Sequence, residues 1–366
     1  MKIGLYTIFN KNNFGAQLQA YATQTFLQRY GFEAEIVDFK PHRKQRKNDR
    51  GLLKSFALIC YRFLSPYIWK KEWNKYKFQK RLVLSRRYKT LDEIKNNRPQ
   101  YDVHMVGSDQ VWNVESGFPH LFFLTFLEGK ALKISYASSF GNIKAALNYR
   151  QDITNALSHF KYISVREHDA AVFLTRMCGL DVKEFLDPVF LITNKEWDLL
   201  SGDKPIIEGK YILYYGFNRD TFTADVIKMI RAMLAMPVIG VASTFHSPYH
   251  YNRFCQSAGP LEFINLLKNS SFFLTSSFHG VAFSLIFKKQ FAVIPVGTRM
   301  NRMESILTRY GLLNRIVYNE QQVKELIENG PMDYNYYNSM LKDITQSGEW
   351  LLESLNNLNL NLNSDK

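Results

Sequence analysis

The 366-residue sequence has few cysteines and no long apolar run. Its three cysteines, Cys60, Cys178 and Cys255, are odd in number and match neither a disulfide framework nor a metal-binding spacing, so a reducing compartment is expected. No stretch approaches the roughly 18 apolar residues of a membrane-spanning helix. The N-terminal residues lack the apolar core and cleavage site of a signal peptide and are predicted to form a strand. These absences predict a soluble, cytoplasmic protein.

The sequence also lacks a glycine-rich dinucleotide fingerprint. The pattern predicts a strand over residues 2–9, a helix over 15–30 and a second strand over 34–39. The turn before the helix carries Asn13 and ends at Gly15, but it does not follow GxGxxG, so no dinucleotide site is predicted. Such a turn is either ordinary turn chemistry or, because helix N-termini offer free amides, a ligand-binding loop.

The composition is that of a globular chain with an uneven charge. Hydrophobic residues make up 46% and aromatic residues 15%, which argues against disorder, and the length suffices for two domains. The net charge is +14, yet residues 40–98 hold 19 Lys and Arg against 4 Asp and Glu, while the remainder holds 28 against 29. This basic segment alternates cations with aromatic residues and is predicted to be a helical insertion.

Three interpretations of the basic segment remain open. In the first interpretation, its aromatic residues pack on the domain while its cations are solvated. In the second, its surface binds anionic lipid or holds a phosphorylated acceptor. Nucleic acid is the weakest alternative, because no recognition motif accompanies the charge.

Several predicted strands end in polar residues, as in a parallel sheet with a ligand cleft along one edge. One strand is followed by the residues GSDQVWN, which include Asp109, Gln110 and Trp112, and another is followed by Arg166. The strand pattern restarts near residue 211, and the polar stretch 197–209 is interpreted as the link between domains. The predicted fold class is therefore α/β, with two Rossmann-like domains whose parallel sheets face a central cleft. Their expected bounds are 1–200 and 201–330, followed by a helical segment and tail at 331–366 that pack back on the first domain.

The stretch 270–295 contains the strongest candidate site. It reads as a strand, the polar turn Ser276-Ser277-Phe278-His279-Gly280, a helix and another strand. In parallel α/β units, ligands and anions bind at the carboxyl end of a strand, beside the N-terminus of the following helix. His279 is the only ionisable side chain of the turn. We interpret it as part of a cleft wall; the alternative is a structural, buried histidine.

Seven segments, in order, resemble the polysaccharide pyruvyl transferase family, whose members are similar in fold to two-domain glycosyltransferases of the B type. The segments are NFGAQLQAYA, GSDQVWN, ISYASSFG, SVREHD, FLDPVFL, LTSSFHGVAFSLIFKKQF and RMNRMESIL. They extend over most of the chain to about Arg315 and leave out the basic segment and the tail. The resemblance implies transfer of pyruvate from phosphoenolpyruvate to two hydroxyls of a sugar, with formation of a cyclic ketal, release of phosphate and no metal.

The resemblance also implies roles for individual residues. His279 matches the motif histidine and would bind the donor phosphate or act as general acid, and Arg166 would bind the donor carboxylate or phosphate. Asp109 would act as base or bind acceptor hydroxyls. The alternatives are a local ion pair for Arg166 and a helix cap for Asp109. Further donor-binding candidates are Ser276, Ser277, Gly280 and Arg299. Further acceptor-binding candidates are Asn13, Gly15, Gln110 and Trp112.

Ser277 departs from the family pattern, because many members carry an arginine two residues before the motif histidine. The missing cation comes from elsewhere, with Arg299 and Lys288 as candidates. Arg299 and Arg302, near the start of the helix after the last strand, could supply further cations, although surface arginines of a helix usually have no special role. Otherwise the chain uses another donor or has lost activity. The competing functions are a glycosyltransferase that uses a nucleotide-sugar and a non-catalytic membrane- or nucleic-acid-binding protein.

The expected partners follow from the favoured function. They are phosphoenolpyruvate, a sugar or lipid-linked oligosaccharide acceptor, and an anionic membrane surface contacted through residues 40–98. We therefore expect a location in the cytoplasm or at the inner face of the membrane, and no cofactor.

Overall fold

The computed structural model describes residues 1–9, 13–40, 65–98, 100–218, 220–242, 249, 251–297 and 300–364. Within these residues the chain forms two sheets. The strands of the first are β1 (Lys2–Tyr6), β2 (Glu33–Ile36), β3 (Val103–Val106), β4 (Leu132–Ser138), β5 (Tyr162–Val165) and β6 (Lys183–Glu184). Those of the second are β7 (Ile212–Tyr215), β8 (Val238–Val241), β9 (Arg253–Cys255), β10 (Phe272–Thr275) and β11 (Phe291–Val293).

Both sheets are parallel throughout. The strand order is β2-β1-β3-β4-β5-β6 in the first sheet and β11-β10-β7-β8-β9 in the second. In the first sheet, β2 is added on one side of β1 and the later strands on the other, so the strand order reverses between β1 and β3. In the second sheet the strand order reverses in the same way between β7 and β10. Ligands bind at the carboxyl ends of strands beside such reversals. The prediction of an α/β protein with two Rossmann-like domains is confirmed.

Helices cover the sheets. Those up to the second sheet are α1 (Phe14–Arg29), α2 (Pro66–Gln79), α3 (Leu91–Asn97), α4 (Ile143–Ala146), α5 (Arg150–Leu157), α6 (His168–Val172) and α7 (Asn194–Ser201). The later ones are α8 (Thr221–Leu234), α9 (Pro260–Asn269), α10 (Phe278–Ile286), α11 (Asn301–Arg309), α12 (Glu320–Glu328) and α13 (Tyr336–Ser364). Short 3₁₀ turns occupy Leu147–Tyr149, Pro188–Leu191 and Leu313–Arg315, and a π turn occupies Phe173–Met177.

Helix α7 lies where a polar link between the domains was predicted. Thr193 and Glu196 form a capping box, in which each side chain accepts a hydrogen bond from the other residue's backbone N–H. Trp197 is fully buried and donates from Nε1 to the Val189 carbonyl at 3.0 Å. Residues 197–201 of the predicted link therefore form the end of a helix that Trp197 anchors in the core, while Leu199 is 73% exposed.

Helix α13 follows the second domain but packs on the first. The Trp350 ring lies 4.9 Å from that of Phe185, between centroids. Leu351, Leu355 and Leu358 are buried in the same apolar cluster as the residues of β1 and β3. Burying a leucine side chain stabilises a fold by roughly 1.5–3 kcal/mol, so these residues make the last helix part of the first domain's core.

Helix α2 belongs to the basic segment at residues 40–98 and lies between the two domains. The Lys71 Nζ donates to the Ala242 carbonyl at 2.8 Å, and Asn74 Nδ2 donates to the Ser257 carbonyl at 3.0 Å. Burial lowers the pKa of Lys71 to about 8, against a smaller opposite effect of Glu72. The expectations for residues 41–64 fall outside the described residues. No helix in the described part of the chain is long and apolar enough to cross a membrane.

Candidate active site

The turn between β10 and α10 is held by its own short side chains. Ser277 has an extended backbone conformation and caps α10, since its Oγ accepts a hydrogen bond from the Gly280 N–H at 3.4 Å. The Ser277 N–H donates to Thr275 Oγ1 at 3.0 Å. A side chain at Gly280 would overlap Thr275 Oγ1, so glycine permits this tight turn. The result is a fixed position for His279 in the first turn of α10.

Ser276 takes a separate structural role. Its Oγ accepts a hydrogen bond from the Phe217 N–H at 2.8 Å, which ties the end of β10 to the end of β7. Both serines of the turn therefore have their oxygens engaged with backbone groups.

Arg166, directly after β5, is the central cation of the site. Its buried guanidinium donates from Nε to Glu167 Oε1 at 2.8 Å and from Nη1 to Asp187 Oδ2 at 2.6 Å. Its Cζ lies 4.0 Å from the centroid of the Phe278 ring, a cation–π contact across the two domains. The Nη2 atom is buried and has no hydrogen-bond partner within the described ranges. One edge of the guanidinium thus remains available to a ligand.

Asp187 joins the arginine to the histidine. Its Oδ2 accepts from Ser108 Oγ at 2.8 Å and lies 3.6 Å from His279 Nε2, while Oδ1 accepts from the Val189 N–H at 3.1 Å. Complete burial by itself raises the pKa of this carboxyl, but His279, Arg166 and the Val189 N–H together hold it below its usual range. Asp187 is therefore a carboxylate.

His279 lies at the seam between the domains. Its side chain is buried, and its Nε2 has no hydrogen-bond partner among the residues that the structure describes. The imidazole contacts the backbone of Gly15 at the start of α1, where any side chain would overlap the ring. The adjacent Phe14 ring stacks on Tyr215 and Phe263 of the second domain at 5.5 and 5.4 Å between centroids. The first turns of α1 and α10 therefore face each other.

Arg302 brings a second arginine to this seam from α11. With its amide oxygen directed at Arg302, Gln110 accepts from both terminal nitrogens of the guanidinium at 2.8 Å. Burial raises the pKa of Glu167, and the nearby cations Arg166 and Arg302 oppose this rise without cancelling it. The helix is fixed by two further contacts across the domains, from Asn301 Nδ2 to Asp169 Oδ2 at 3.2 Å and from the His168 N–H to Ser305 Oγ at 3.3 Å.

Asp109 has a strained backbone at the end of β3. Its φ is +74°, and the neighbouring strand β4 carries a second positive φ, +49°, at Ala137 with a shift in strand register. Positive φ is uncommon for residues other than glycine and clusters at functional sites. The Asp109 Oδ1 accepts a hydrogen bond from the Gln110 N–H at 2.8 Å, and its charge raises the pKa of Arg166 together with the larger effects of Glu167 and Asp187, against burial.

The structure corrects two expectations. Trp112 is fully buried, donates from Nε1 to the Phe122 carbonyl at 3.0 Å and stacks on Phe123, so it belongs to the core and does not bind an acceptor. Lys288 follows the C-terminal end of α10, opposite to His279, and its Nζ lies 3.5 Å from the centroid of the Tyr337 ring. Lys288 therefore does not replace the missing cation.

Other expectations have different outcomes. Asn13 is the N-cap of α1, its Oδ1 accepting from the Gly15 N–H at 3.0 Å, which is turn chemistry. Arg299 lies outside the described residues. Arg166, Asp109, Gln110, Gly15 and His279 lie in one region, and their catalytic and binding roles stay predictions.

Sequence reasoning assigned no chemistry to Asp187 and Ser108, although both lie in the quoted segments FLDPVFL and GSDQVWN. The available signal was position: Ser108 lies two residues beyond β3, and Asp187 lies three residues beyond β6. No group of three or more histidine, cysteine or acidic side chains within the described residues is arranged to hold a metal ion.

Comparison with known proteins identifies the family of the chain and its fold. The model of the family described as polysaccharide pyruvyl transferase matches residues 13–298. The chain belongs to this family. The matched region includes Gly15, Arg166, Asp187 and His279, whereas Arg302 lies beyond its end. Family membership makes the protein a transferase of polysaccharide biosynthesis.

Solved structures show the same fold at low sequence identity. A UDP-GlcNAc 2-epimerase from Neisseria meningitidis bound to UDP-GlcNAc superposes with a TM-score of 0.57 at 13% identity, covering 97% of this transferase and 99% of the epimerase. The UDP-GlcNAc 2-epimerase from Methanocaldococcus jannaschii in complex with UDP-GlcNAc and UDP superposes with a TM-score of 0.55 at 13% sequence identity. The match covers 94% of this chain and 100% of that epimerase. The UDP-N-acetylglucosamine 2-epimerase from Rickettsia bellii superposes with a TM-score of 0.54 at 12% sequence identity, and the match covers 97% of this chain and 96% of that epimerase. These similarities confirm the glycosyltransferase-B-like fold. A search of curated proteins gives no match.

Proposed function

We propose that this transferase moves pyruvate from phosphoenolpyruvate to two hydroxyls of a sugar in a surface polysaccharide precursor. The observation that supports this most strongly is that Arg166 Nη2 and His279 Nε2 are both buried and both lack a hydrogen-bond partner in the described residues, the only close group to Nε2 that the structure shows being the Asp187 carboxylate at 3.6 Å. An unsatisfied buried polar group costs about 1–3 kcal/mol, so its retention indicates that a ligand satisfies it. A small anion with carboxylate and phosphate oxygens supplies the acceptors that a guanidinium and an imidazole need.

Arg302 takes the place of the cation that many family members carry at the position of Ser277. The Ser277 side chain caps α10, whereas Arg302 approaches Gln110 and Glu167 from α11. Phosphoenolpyruvate carries up to three negative charges, and two arginines from two domains match it better than one. The helix N-terminus at His279 adds a favourable dipole for the phosphate.

The reaction requires one proton donor and one base. We assign protonation of the methylene carbon to His279, which leaves C2 with oxocarbenium character. The first sugar hydroxyl then adds to C2 as Asp109 takes its proton. The C2–O bond to phosphate breaks, and the second hydroxyl closes the ketal. Of the two protons lost by the hydroxyls, one balances the proton added to the methylene carbon and the other leaves on phosphate.

The donor reaches this site only when the domains part. The His279 side chain is 5% exposed and that of Arg166 is 2% exposed, and α1 and α10 are in direct contact at Gly15 and His279. We therefore expect binding to begin with a separation of the two first turns. Closure afterwards excludes water and strengthens the electrostatic contacts of the arginines.

A donor comparison tests the proposal. The full chain is incubated with candidate sugars and either phosphoenolpyruvate or a UDP-sugar, and release of phosphate or UDP is measured together with the product mass. Phosphate release and addition of one pyruvate ketal support the proposal. UDP release alone overturns it in favour of a glycosyltransferase.

Thermal unfolding gives a second readout that needs no acceptor. A ligand at 100 times its dissociation constant stabilises a protein by about 2.7 kcal/mol. Phosphoenolpyruvate should stabilise the parent protein and an Arg231→Ala control, since Arg231 is exposed on α8, but not an Arg166→Ala variant. Equal stabilisation of all three proteins would place the donor elsewhere.

A further inference from the structure

Helix α2 carries an exposed row of large aromatic side chains. Trp69, Trp73 and Tyr76 are 62%, 54% and 48% exposed. Their spacing of four and three residues places them on one side of the helix, opposite the side that packs between the domains. A contiguous row of large, mostly exposed aromatic side chains is typical of an interaction surface.

Cations border the aromatic row. The Lys77 Nζ lies 5.4 Å from the centroid of the Trp73 ring, and the Lys80 Nζ lies 5.2 Å from that of Tyr76. Lys70 is exposed one residue after Trp69. We use the name outer face of α2 for these six residues: Trp69, Lys70, Trp73, Tyr76, Lys77 and Lys80.

The charge of the surrounding segment indicates the sign of the partner's charge. Residues 40–98 carry 19 basic and 4 acidic residues, while the rest of the chain is nearly balanced at 28 and 29. The outer face of α2 therefore lies in the segment that contains almost all the net positive charge. Its partner must be anionic.

The geometry favours a lipid surface over nucleic acid. Bases bind by stacking on free ring faces, but the Trp73 and Tyr76 rings stack on each other, 5.8 Å between centroids, and lysines cover them. The row is also a ridge on a helix, whereas single strands bind in grooves. Tryptophan and tyrosine bordered by lysine is the composition of helices that lie at the headgroup level of a membrane.

We propose that the outer face of α2 binds the surface of a bilayer that contains anionic lipids. The aromatic rings enter the headgroup region and the lysines contact lipid phosphates. The inner side of the same helix stays bound to Ala242 and Ser257 of the second domain, so docking places the seam beside the membrane. Membrane binding by this face does not depend on which transfer reaction the protein catalyses.

Vesicle sedimentation of the full chain tests the proposal. The parent protein should sediment with phosphatidylglycerol-containing vesicles and much less with pure phosphatidylcholine. Reversing Lys70, Lys77 and Lys80 to glutamate should weaken this binding at least about a hundredfold, because each removed cation contributes severalfold to affinity. A control that reverses Lys228, Lys324 and Lys342, exposed on other helices, has the same net charge and should keep its binding.

The aromatic residues are tested separately. Trp69→Ala with Trp73→Ala should also lose vesicle binding, and the blue shift of tryptophan emission seen when vesicles are added to the parent should disappear. Exposed substitutions of this kind change stability little, which unfolding curves verify. Stabilisation by phosphoenolpyruvate should persist in all docking variants, so failure here is distinguishable from failure of the proposed reaction.

Three outcomes overturn the proposal. The first is absence of sedimentation with anionic vesicles, and the second is equal loss in the control triple variant. The third is a different partner: light scattering that shows a dimer dispersed by the tryptophan substitutions, or binding of a single-stranded oligonucleotide that the same substitutions remove while vesicles bind unchanged.

Discussion

The backbone of Gly15 lies against the imidazole of His279, so one residue of each domain fixes the other's position at the seam. Adding a methyl group at position 15 would overlap the ring. We expect Gly15→Ala to displace His279, lower the unfolding free energy by about 1–3 kcal/mol and reduce stabilisation by phosphoenolpyruvate. Denaturant unfolding with and without the donor measures both effects.

A matched helix glycine serves as the control. Gly348 lies in α13, where a new methyl group would come 3.2 Å from the Phe26 ring and needs only a small adjustment. Alanine is normally favoured over glycine in a helix by about 0.5–1 kcal/mol. Gly348→Ala should therefore be neutral or stabilising. Equal behaviour of the two variants would show that the contact with His279 has no energetic importance.

Arg166 and Asp187 should show strong energetic coupling. Removing one partner of a buried ion pair costs about 3–5 kcal/mol, because the remaining charge is left uncompensated. We expect Arg166→Met and Asp187→Leu each to reduce the unfolding free energy in this range. The double variant should lose clearly less than the two single losses added together. Additivity within about 0.5 kcal/mol in chemical denaturation would contradict direct coupling.

Arg302 should affect donor binding more than folding. Its side chain is half-buried, so its loss disturbs packing little. A charge-assisted hydrogen bond contributes about 1.5–3 kcal/mol, so Arg302→Ala should weaken phosphoenolpyruvate binding roughly 10- to 100-fold. Arg302→Lys should retain part of the affinity and Arg231→Ala all of it. Calorimetric titration of the donor measures this, and unchanged affinity in Arg302→Ala would remove Arg302 from the site.

His104 should make the first domain sensitive to acid. Its Nδ1 lies 3.0 Å from the Tyr6 hydroxyl, and burial, followed by the cations Arg98 and Lys133, lowers its pKa to about 3. The unfolded chain takes up this proton near pH 6.5 but the folded one does not, so the unfolding free energy falls as the pH drops from about 6.5 towards 3.

The slope of the unfolding free energy against pH tests this prediction. One histidine contributes at most about 1.4 kcal/mol per pH unit between the two pKa values. His104→Asn places an amide where the ring lies and should flatten the dependence of the unfolding free energy on pH. Equal slopes for the parent and the variant, measured by urea unfolding from pH 7 to pH 4, would assign the acid sensitivity to other groups.

The sequence was sufficient to predict the two parallel sheets and the turn that carries His279, because buried strands and polar strand ends are local patterns. It was insufficient for Trp112, which lies in the same polar segment as Asp109. A segment with a residue at positive φ does not alternate like a strand, so the direction of each side chain depends on the fold. Trp112 packs among the apolar residues of the core, whereas Asp109 is buried beside polar groups, with its Oδ1 accepting a hydrogen bond from the Gln110 N–H.

Other residues were predictable from information already in the sequence. A nine-residue helix is about 13 Å long, so Lys288 had to lie far from a histidine in the first turn. The residues Thr193 and Glu196 form a recognisable helix start before Trp197. Arg302 required the structure, because only the docking of α11 on the first domain brings it to Gln110.

The position of α13 has a consequence for protein synthesis. The last helix supplies Leu351, Leu355 and Leu358 to an apolar cluster that begins with Ile3 and Leu5. Domains usually fold in order as they leave the ribosome. Part of the apolar surface of the first domain therefore stays uncovered during synthesis until α13 has been translated and can pack on it.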